Sequence, residues 1–322
     1  MFNFTIEKPK QQAEPDVVYD FVALGGGPAG LNGALYARRK GLSTAVVAHE
    51  LGGQLRNTTA VENYLGFETI AADELIERFV AHVKSLSIPI LTQSRVTAVE
   101  KEDDMFILRL ESGGTIRTRT LLAALGGSPR RLEVPGELRL AGKGVSYCAT
   151  CDAPFFKGLH VVVAGGGNSA VEAAMDLAKW ASRVTIVHRS RFRADQAILD
   201  RLKDVKNVSV MLETQILEIA GTDRVESIRI RNKADGVEST LPADGIFVEI
   251  GTIPNSALFS TLVTLNERGE IVVDGQQRTS CEGLYAAGDI TEQPFRQIVI
   301  AAAEGAKAAL AASAHLNLKG TR

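Results

Sequence analysis

The hydrophobic pattern of the chain is one of short apolar runs that break into glycine. Residues 17–24, VVYDFVAL, read as a buried strand and lead into Gly25-Gly26-Gly27-Pro28-Ala29-Gly30. A helical pattern follows, closes at Gly41, and gives way to a second apolar run, STAVVA. This order predicts a β-α-β unit with a glycine-rich first turn. It is written again from His160: the run HVVVA, the turn Gly165-Gly166-Gly167-Asn168-Ser169-Ala170, an Ala-rich helix to about Trp180, and the run RVTIV.

Residues 95–125 carry short strand patterns separated by the turn signals EDD and SGG, and end in LLAALGGSPR. Similar strands recur over 226–250, followed by Gly251-Thr252-Ile253-Pro254-Asn255 and by Gly283 to Asp289, a strand pattern that ends on an acid. The stretches GGSPR and GTIPN read as paired linkers around an inserted module. The predicted architecture is therefore α/β, with two Rossmann-like nucleotide-binding domains of the three-layer ββα kind, the second inserted in the first. Residues 1–125 and 252–322 make the discontinuous domain and 126–251 the inserted one.

Composition narrows the functional classes. The 322 residues are 45% hydrophobic and 23% charged, as in a globular protein, and 36 Lys plus Arg against 38 Asp plus Glu leave a net charge of −2. No basic field recommends nucleic acid or an acidic membrane as partner. The N-terminal stretch MFNFTIEKPKQQAEPD has no basic region followed by an apolar core, so no signal peptide is expected. Glu304 and Lys307 interrupt the Ala-rich C-terminal stretch, which argues against a membrane span. With Cys281 far from the other two cysteines, a secreted disulfide framework is not expected, and a cytoplasmic location is the default.

Both glycine turns follow an apolar strand and open a helix, which is the setting in which backbone N–H groups and a helix N-terminus hold a pyrophosphate. The residue closing the second strand of each unit distinguishes the ligands. Glu50 lies 20 residues past Gly30 and suits an adenosine ribose without a 2′-phosphate, as in FAD or NAD. The second unit ends instead in His188-Arg189-Ser190-Arg191-Phe192-Arg193, a cationic cluster suited to NADP, with a solvated basic loop as the alternative.

The remaining chemistry lies in Cys148-Ala149-Thr150-Cys151-Asp152. A zinc site would need two more soft ligands, and neither Cys281 nor the five histidines have partner spacing. A structural disulfide across so short a loop would contribute only about 2 kcal/mol by the chain-entropy estimate. Two inert buried thiols are a further reading, but a CxxC near a β-α-β pattern reads best as a dithiol switch. Asp152 then has two readings: a carboxyl of elevated pKa that carries the proton of thiol exchange, or an N-cap for a turn at PFFKG.

Together these residues resemble the low-molecular-weight, bacterial-type thioredoxin reductases over nearly the whole chain after residue 16. The motifs are GGGPAG (Gly25, Gly27, Pro28, Ala29, Gly30), Gly52-Gly53-Gln54-Leu55, Val61-Glu62-Asn63-Tyr64-Leu65-Gly66, CATCD, GGGNSA (Gly165, Gly167, Asn168, Ser169, Ala170) with HRSRFRA, and GLYAAGDI (Gly288, Asp289) with Phe295-Arg296-Gln297. Gly126 of the first linker joins the cofactor set. The resemblance implies a homodimer that holds FAD in the discontinuous domain and NADPH in the inserted one, the latter through His188, Arg189 and Arg193. It implies that Cys151 is the sulfur nearest the flavin, that Cys148 attacks the disulfide of thioredoxin, and that Asp152 is the acid/base.

Three departures stand out. The family's HRR-x-x-x-R phosphate motif is one residue shorter here, with Ser190 in place of a second Arg, a loss worth roughly 1.5–3 kcal/mol for one charge-assisted bond. Ala173 replaces a second Glu after Glu172, and the N-terminal extension has no counterpart. An alternative is therefore the same fold fed by ferredoxin; a dithiol oxidase passing electrons to oxygen and a non-catalytic redox sensor are further alternatives. The flavoproteins of alkyl hydroperoxide reductase share the core but carry an extra N-terminal thiol domain, which 16 residues would not supply.

Overall fold

Val18–Gly26 is a strand because apolar side chains fill both of its faces: Phe21, Val22, Ala23 and Leu24 are all buried. Continuous rather than alternating hydrophobicity marks a parallel strand covered on both sides. The strand pairs in parallel with Thr44–Leu51 on one side and Thr115–Ala123 on the other. The computed structural model describes residues 17–320, so the expectations for the N-terminal stretch fall outside the described residues.

The chain forms two compact units, one of Met1–Arg56, Asp73–Gly127 and Pro254–Arg322, the other of Asn57–Ala72 and Ser128–Ile253. In the first, the sheet order is Ile90–Leu91, Thr44–Leu51, Val18–Gly26, Thr115–Ala123, Met105–Leu110 and Val96–Glu102, with Leu284–Ala286 also on Thr115–Ala123. The strands of 96–110 are antiparallel, so the unit joins a parallel nucleotide-binding half to a meander. Helices Pro28–Arg39 and Ile298–Gly320 cover one face and share a core of Ala34, Ala37, Leu122, Ala308 and Ala312. The two helices meet through glycine: a Cβ on Gly305 would lie 2.0 Å from Ala29 O, and one on Gly33 would lie 3.2 Å from Gly305 O. Glu304 is buried beside this crossing, its carboxylate accepting Gly288 N–H at 2.7 Å.

The second unit carries a five-stranded parallel sheet in the order Val145–Ser146, Gly245–Val248, His160–Ala164, Arg183–Val187, Val208–Met211. Helix Asn168–Leu177 packs on one face through Val171, Ala174 and Leu177, and an antiparallel ribbon of Thr214–Ala220, Ser227–Asn232 and Glu238–Pro242 covers the other through Ile216, Ile219, Ile228 and Ile230. These are the three ββα layers. The helix stops short of Trp180: Asn207 Nδ2 donates to Ala178 O and Ala181 O and closes its end as a turn. Near the chain crossings, Arg130 N–H donates to Gly251 O in the second unit and Asn255 N–H to Gly126 O in the first. Among the described residues, no helix is long and apolar enough to cross a membrane.

Candidate active site

Cys148 and Cys151 are joined as a disulfide with Cα atoms 5.3 Å apart. The pair sits on a single helical turn, Ala149–Asp152, whose N-cap is Cys148 itself. The extended backbone of Cys148 aims its sulfur back over the turn, where Sγ accepts Cys151 N–H at 3.2 Å. Ala149 is buried and anchors the turn in the helix-side core of the second unit. Both cysteines are half-buried, so the sulfurs are within reach of a partner without being fully solvated.

Asp152 is turned into this unit rather than used as a cap. The short helix beginning at Ala153 has Asp152 as its N-cap residue, yet its side chain makes no capping bond. Its carboxylate accepts Ser146 Oγ at 2.7 Å and Thr58 Oγ at 3.4 Å. Burial raises its pKa, and these two hydroxyls offset the rise only in part. Sequence reasoning found Asp152 but not its partners: Ser146 lies two residues before Cys148, whose N–H it accepts at 3.1 Å, and Thr58 comes from the distant Asn57–Ala72 segment.

A second carboxyl was also missed. Glu249 follows strand Gly245–Val248 and accepts Ala149 N–H through Oε1 at 3.4 Å. Burial pushes it up to about 7. The signal in the sequence is faint, a lone acid directly after the apolar run GIFV.

The second glycine turn lies at the C-terminal end of His160–Ala164, where the strand order reverses between it and Gly245–Val248, which is the usual dinucleotide position in an open parallel sheet. Gly167 caps the helix beginning at Asn168 without any side-chain bond, and no acid occupies the first turn, an arrangement that suits a phosphate. Asn168 Oδ1 accepts Asp195 N–H at 2.8 Å and its Nδ2 donates to Asp195 Oδ2 at 2.7 Å, fixing the loop beyond. Arg193 N–H donates to Gly166 O at 2.7 Å, which brings the cationic cluster onto the turn. Arg189, Arg191 and Arg193 are exposed, whereas His188 is buried with its ring where a Cβ on Gly166 would be, and Ser190 Oγ lies 3.1 Å from His188 Nε2. Burial first, then Arg193 and Arg189, lower the His188 pKa, so the imidazole is neutral packing and the three guanidiniums carry the charge.

In the first unit the residues present fit FAD. Gly27 caps helix Pro28–Arg39 without a side-chain bond, and the first turn holds no acid. Gly25 sits at φ 134° with a Cβ position 2.1 Å from Ala124 O, and Gly30 would strike Gly25 O at 2.0 Å, so only glycine permits this turn. Gly53 backs onto Gly27, a Cβ on it lying 3.3 Å from Gly27 Cα, while Gln54 Nε2 donates to Gly127 O and Leu55 is buried. Glu50 is exposed at the strand end, 3.7 Å from Arg56 Nε. Asp289 is raised in pKa by burial, with Arg296 opposing, and the buried Arg296 Nε has no hydrogen-bond partner although its other nitrogen meets Glu270 at 2.8 Å. A polyhydroxylated, phosphate-bearing ligand would satisfy that donor. Asn63 is exposed and belongs to the Asn57–Ala72 segment of the second unit. Gly126 lies at the linker, at φ 64°, and Gln297 directly precedes the C-terminal helix.

Two glycine-rich turns at strand ends, one followed by an acid and one by an arginine cluster, accompany a disulfide with a buried carboxyl beside it, a set of groups that suits dinucleotides and thiol exchange. The family profile of the pyridine nucleotide-disulphide oxidoreductases matches residues 19–305. Thioredoxin reductase from Streptococcus pyogenes superimposes with a TM-score of 0.89 at 34% identity, covering 93% of this chain and 98% of that one. Thioredoxin reductase from Giardia duodenalis gives 0.87 at 33% identity, with 93% and 99% covered. An alkyl hydroperoxide reductase subunit of Staphylococcus aureus is 41% identical over 293 residues, which are 91% of this chain and 58% of that protein. The chain thus spans somewhat over half the length of the curated relatives it matches.

The chain belongs to the pyridine nucleotide-disulphide oxidoreductase family, among its members that resemble low-molecular-weight thioredoxin reductases, and the cofactors of that family are FAD and a nicotinamide dinucleotide.

Proposed function

We propose that the protein is an NADPH-dependent reductase of a thioredoxin disulfide, with FAD held by the discontinuous domain (1–125 and 252–322) and NADPH by the inserted one (126–251). The observation that carries this reading is the disulfide of Cys148 and Cys151 on a unit that also holds a glycine turn joined to three exposed arginines. FAD, when bound, supplies the group that passes an electron pair from the nicotinamide to the disulfide. In the reduced state the Cys148 thiolate attacks one sulfur of the partner's disulfide, and the partner's other sulfur leaves and takes a proton from Asp152. Cys151 Sγ then gives up its proton and attacks Cys148 Sγ, the partner's first sulfur leaves and takes up a proton, and the Cys148–Cys151 bond is restored. Arg189 and Arg193 take the 2′-phosphate, with Arg191 beside them in place of the arginine that Ser190 replaces. The family resemblance supports a homodimer and a cytoplasmic setting as part of the same reading.

A second reading has its own support: identity to the alkyl hydroperoxide reductase protein of S. aureus, at 41%, exceeds the 34% to thioredoxin reductase of S. pyogenes. On that reading the dithiol serves an alkyl hydroperoxide reductase system instead of a free thioredoxin. Parallel anaerobic stopped-flow reduction by NADPH, NADH and reduced ferredoxin, followed by turnover with thioredoxin and with a peroxiredoxin, separates these. Fast flavin bleaching by NADPH and thioredoxin turnover are expected. Reduction by NADPH only at millimolar concentration, or reduction by ferredoxin alone, would overturn the donor; peroxide formed from a dithiol and oxygen would point to an oxidase.

A further inference from the structure

Alternation along Gly245–Val248 sends Ile246 and Val248 into the ribbon-side core and Phe247 into the helix-side core with Ala149 and Val171. Glu249 continues on the side of Phe247, towards the turn that carries the cysteines. Its backbone is fixed: Glu249 N–H donates to Ala164 O at 2.8 Å, and its carbonyl packs against Gly165, where a Cβ would come within 2.3 Å. Its carboxylate reaches Ala149 N–H, the amide next to Cys148.

We propose that Glu249 governs when Cys148 becomes a nucleophile in the reduced enzyme: ionised, it holds the sulfur protonated, and neutral, it lets the thiolate form. The inference rests on the dithiol reading of Cys148 and Cys151, whichever partner they serve. A thiolate on Cys148 draws on the amides of its own turn, of which Cys151 N–H already points at Sγ. A carboxylate on Ala149 N–H takes up a neighbouring amide of that turn and adds charge of the same sign, so each ionisation opposes the other. In the disulfide state there is no thiolate and Glu249 titrates alone, with its midpoint near neutrality. The ionisable groups on the elements around it are Asp152 on the turn, Arg130 with its side chain against Gly251, and His188 against Gly166. Glu249 touches Ala149 rather than a sulfur and is a positioning residue.

The test uses the FAD-loaded protein with its disulfide reduced by dithiothreitol and the reductant removed anaerobically. Iodoacetamide labelling of Cys148, read by mass spectrometry from pH 5.5 to 9, gives the thiolate profile. Glu249→Gln is expected to label on the order of tenfold faster near pH 7, the effect of a one-unit change in thiol pKa, and Glu249→Asp to retain part of the wild-type profile. Superimposable wild-type and Glu249→Gln profiles, or slower labelling of the variant, would overturn the role of Glu249 alone. If Glu249→Gln fails to fold, the profile of Asp152→Asn carries the test: two steps support the proposal, and a single-proton curve refutes it. No labelling of either cysteine after reduction overturns the dithiol reading together with this one.

Discussion

Ser146 Oγ donates to Asp152 Oδ2 at 2.7 Å while accepting the N–H of Cys148, so one hydroxyl joins the acid to the backbone of the disulfide. This bond stabilises the ionised carboxyl against the burial that raises its pKa. Ser146→Ala removes it, and the Asp152 pKa should rise further. The alkaline limb of the pH profile for disulfide reduction should then move to higher pH. Asp152→Asn should lower that step by about a hundredfold or more, the usual size of a lost general acid, with flavin reduction by NADPH unchanged. Stopped-flow measurement of the two half-reactions checks both.

Cys148→Ser should abolish turnover of any disulfide partner while the flavin is still bleached by the donor. Retained thioredoxin turnover in this variant would reassign the attacking sulfur.

Arg189→Ala and Arg193→Ala should each raise KM for NADPH by roughly tenfold to a hundredfold, the loss of one charge-assisted bond, and leave KM for NADH nearly unchanged. Equal effects on both dinucleotides would mean that these guanidiniums do not read the 2′-phosphate.

Glu249 also bears on stability. Its folded-state pKa, about 7, lies above the ordinary value of 4.5, so its contribution is fully present below pH 4.5 and is lost as pH rises through about 7. The size is at most roughly 3–4 kcal/mol from the shift. Thermal melts of Glu249→Gln should show a flatter decline in Tm between pH 5 and 8 than the wild type. Parallel declines would place the cost elsewhere.

Gly305→Val should be severe. A Cβ there would lie 2.0 Å from Ala29 O, a backbone atom that cannot yield without moving the helix of the first glycine turn. Overpacking of this kind costs typically about 1–3 kcal/mol. Loss of bound flavin together with a lower Tm is expected, whereas Gly320→Ala, where nothing lies within 4 Å, should do neither.

Both nucleotide turns were legible because strand, glycine turn and helix are contiguous, and local order decides them. The cysteine pair was legible because its spacing is a local property as well. Strand Thr214–Ala220, in contrast, was missed: its burial follows from pairing with Ser227–Asn232 and not from its own alternation, since Gln215 and Glu218 interrupt the apolar run and the register shifts at Leu217. Thr58 and Glu249 could not be read as parts of the site, because each reaches the cysteine turn from a segment about 100 residues away. His188 was read as a phosphate ligand from the company of its arginines. Its ring is instead turned inward against Gly166, a choice that only the packed strand end reveals.

The C-terminal helix and strand Leu284–Ala286 complete the first unit, yet they come after the whole of Ser128–Ile253 in the chain. During synthesis the inserted unit can therefore acquire its sheet and its cysteine turn while the first sheet still lacks a strand and the helix that seals Ala29. Flavin capture therefore waits until helix Ile298–Gly320 has left the ribosome, and nascent chains stalled before residue 298 should emerge colourless.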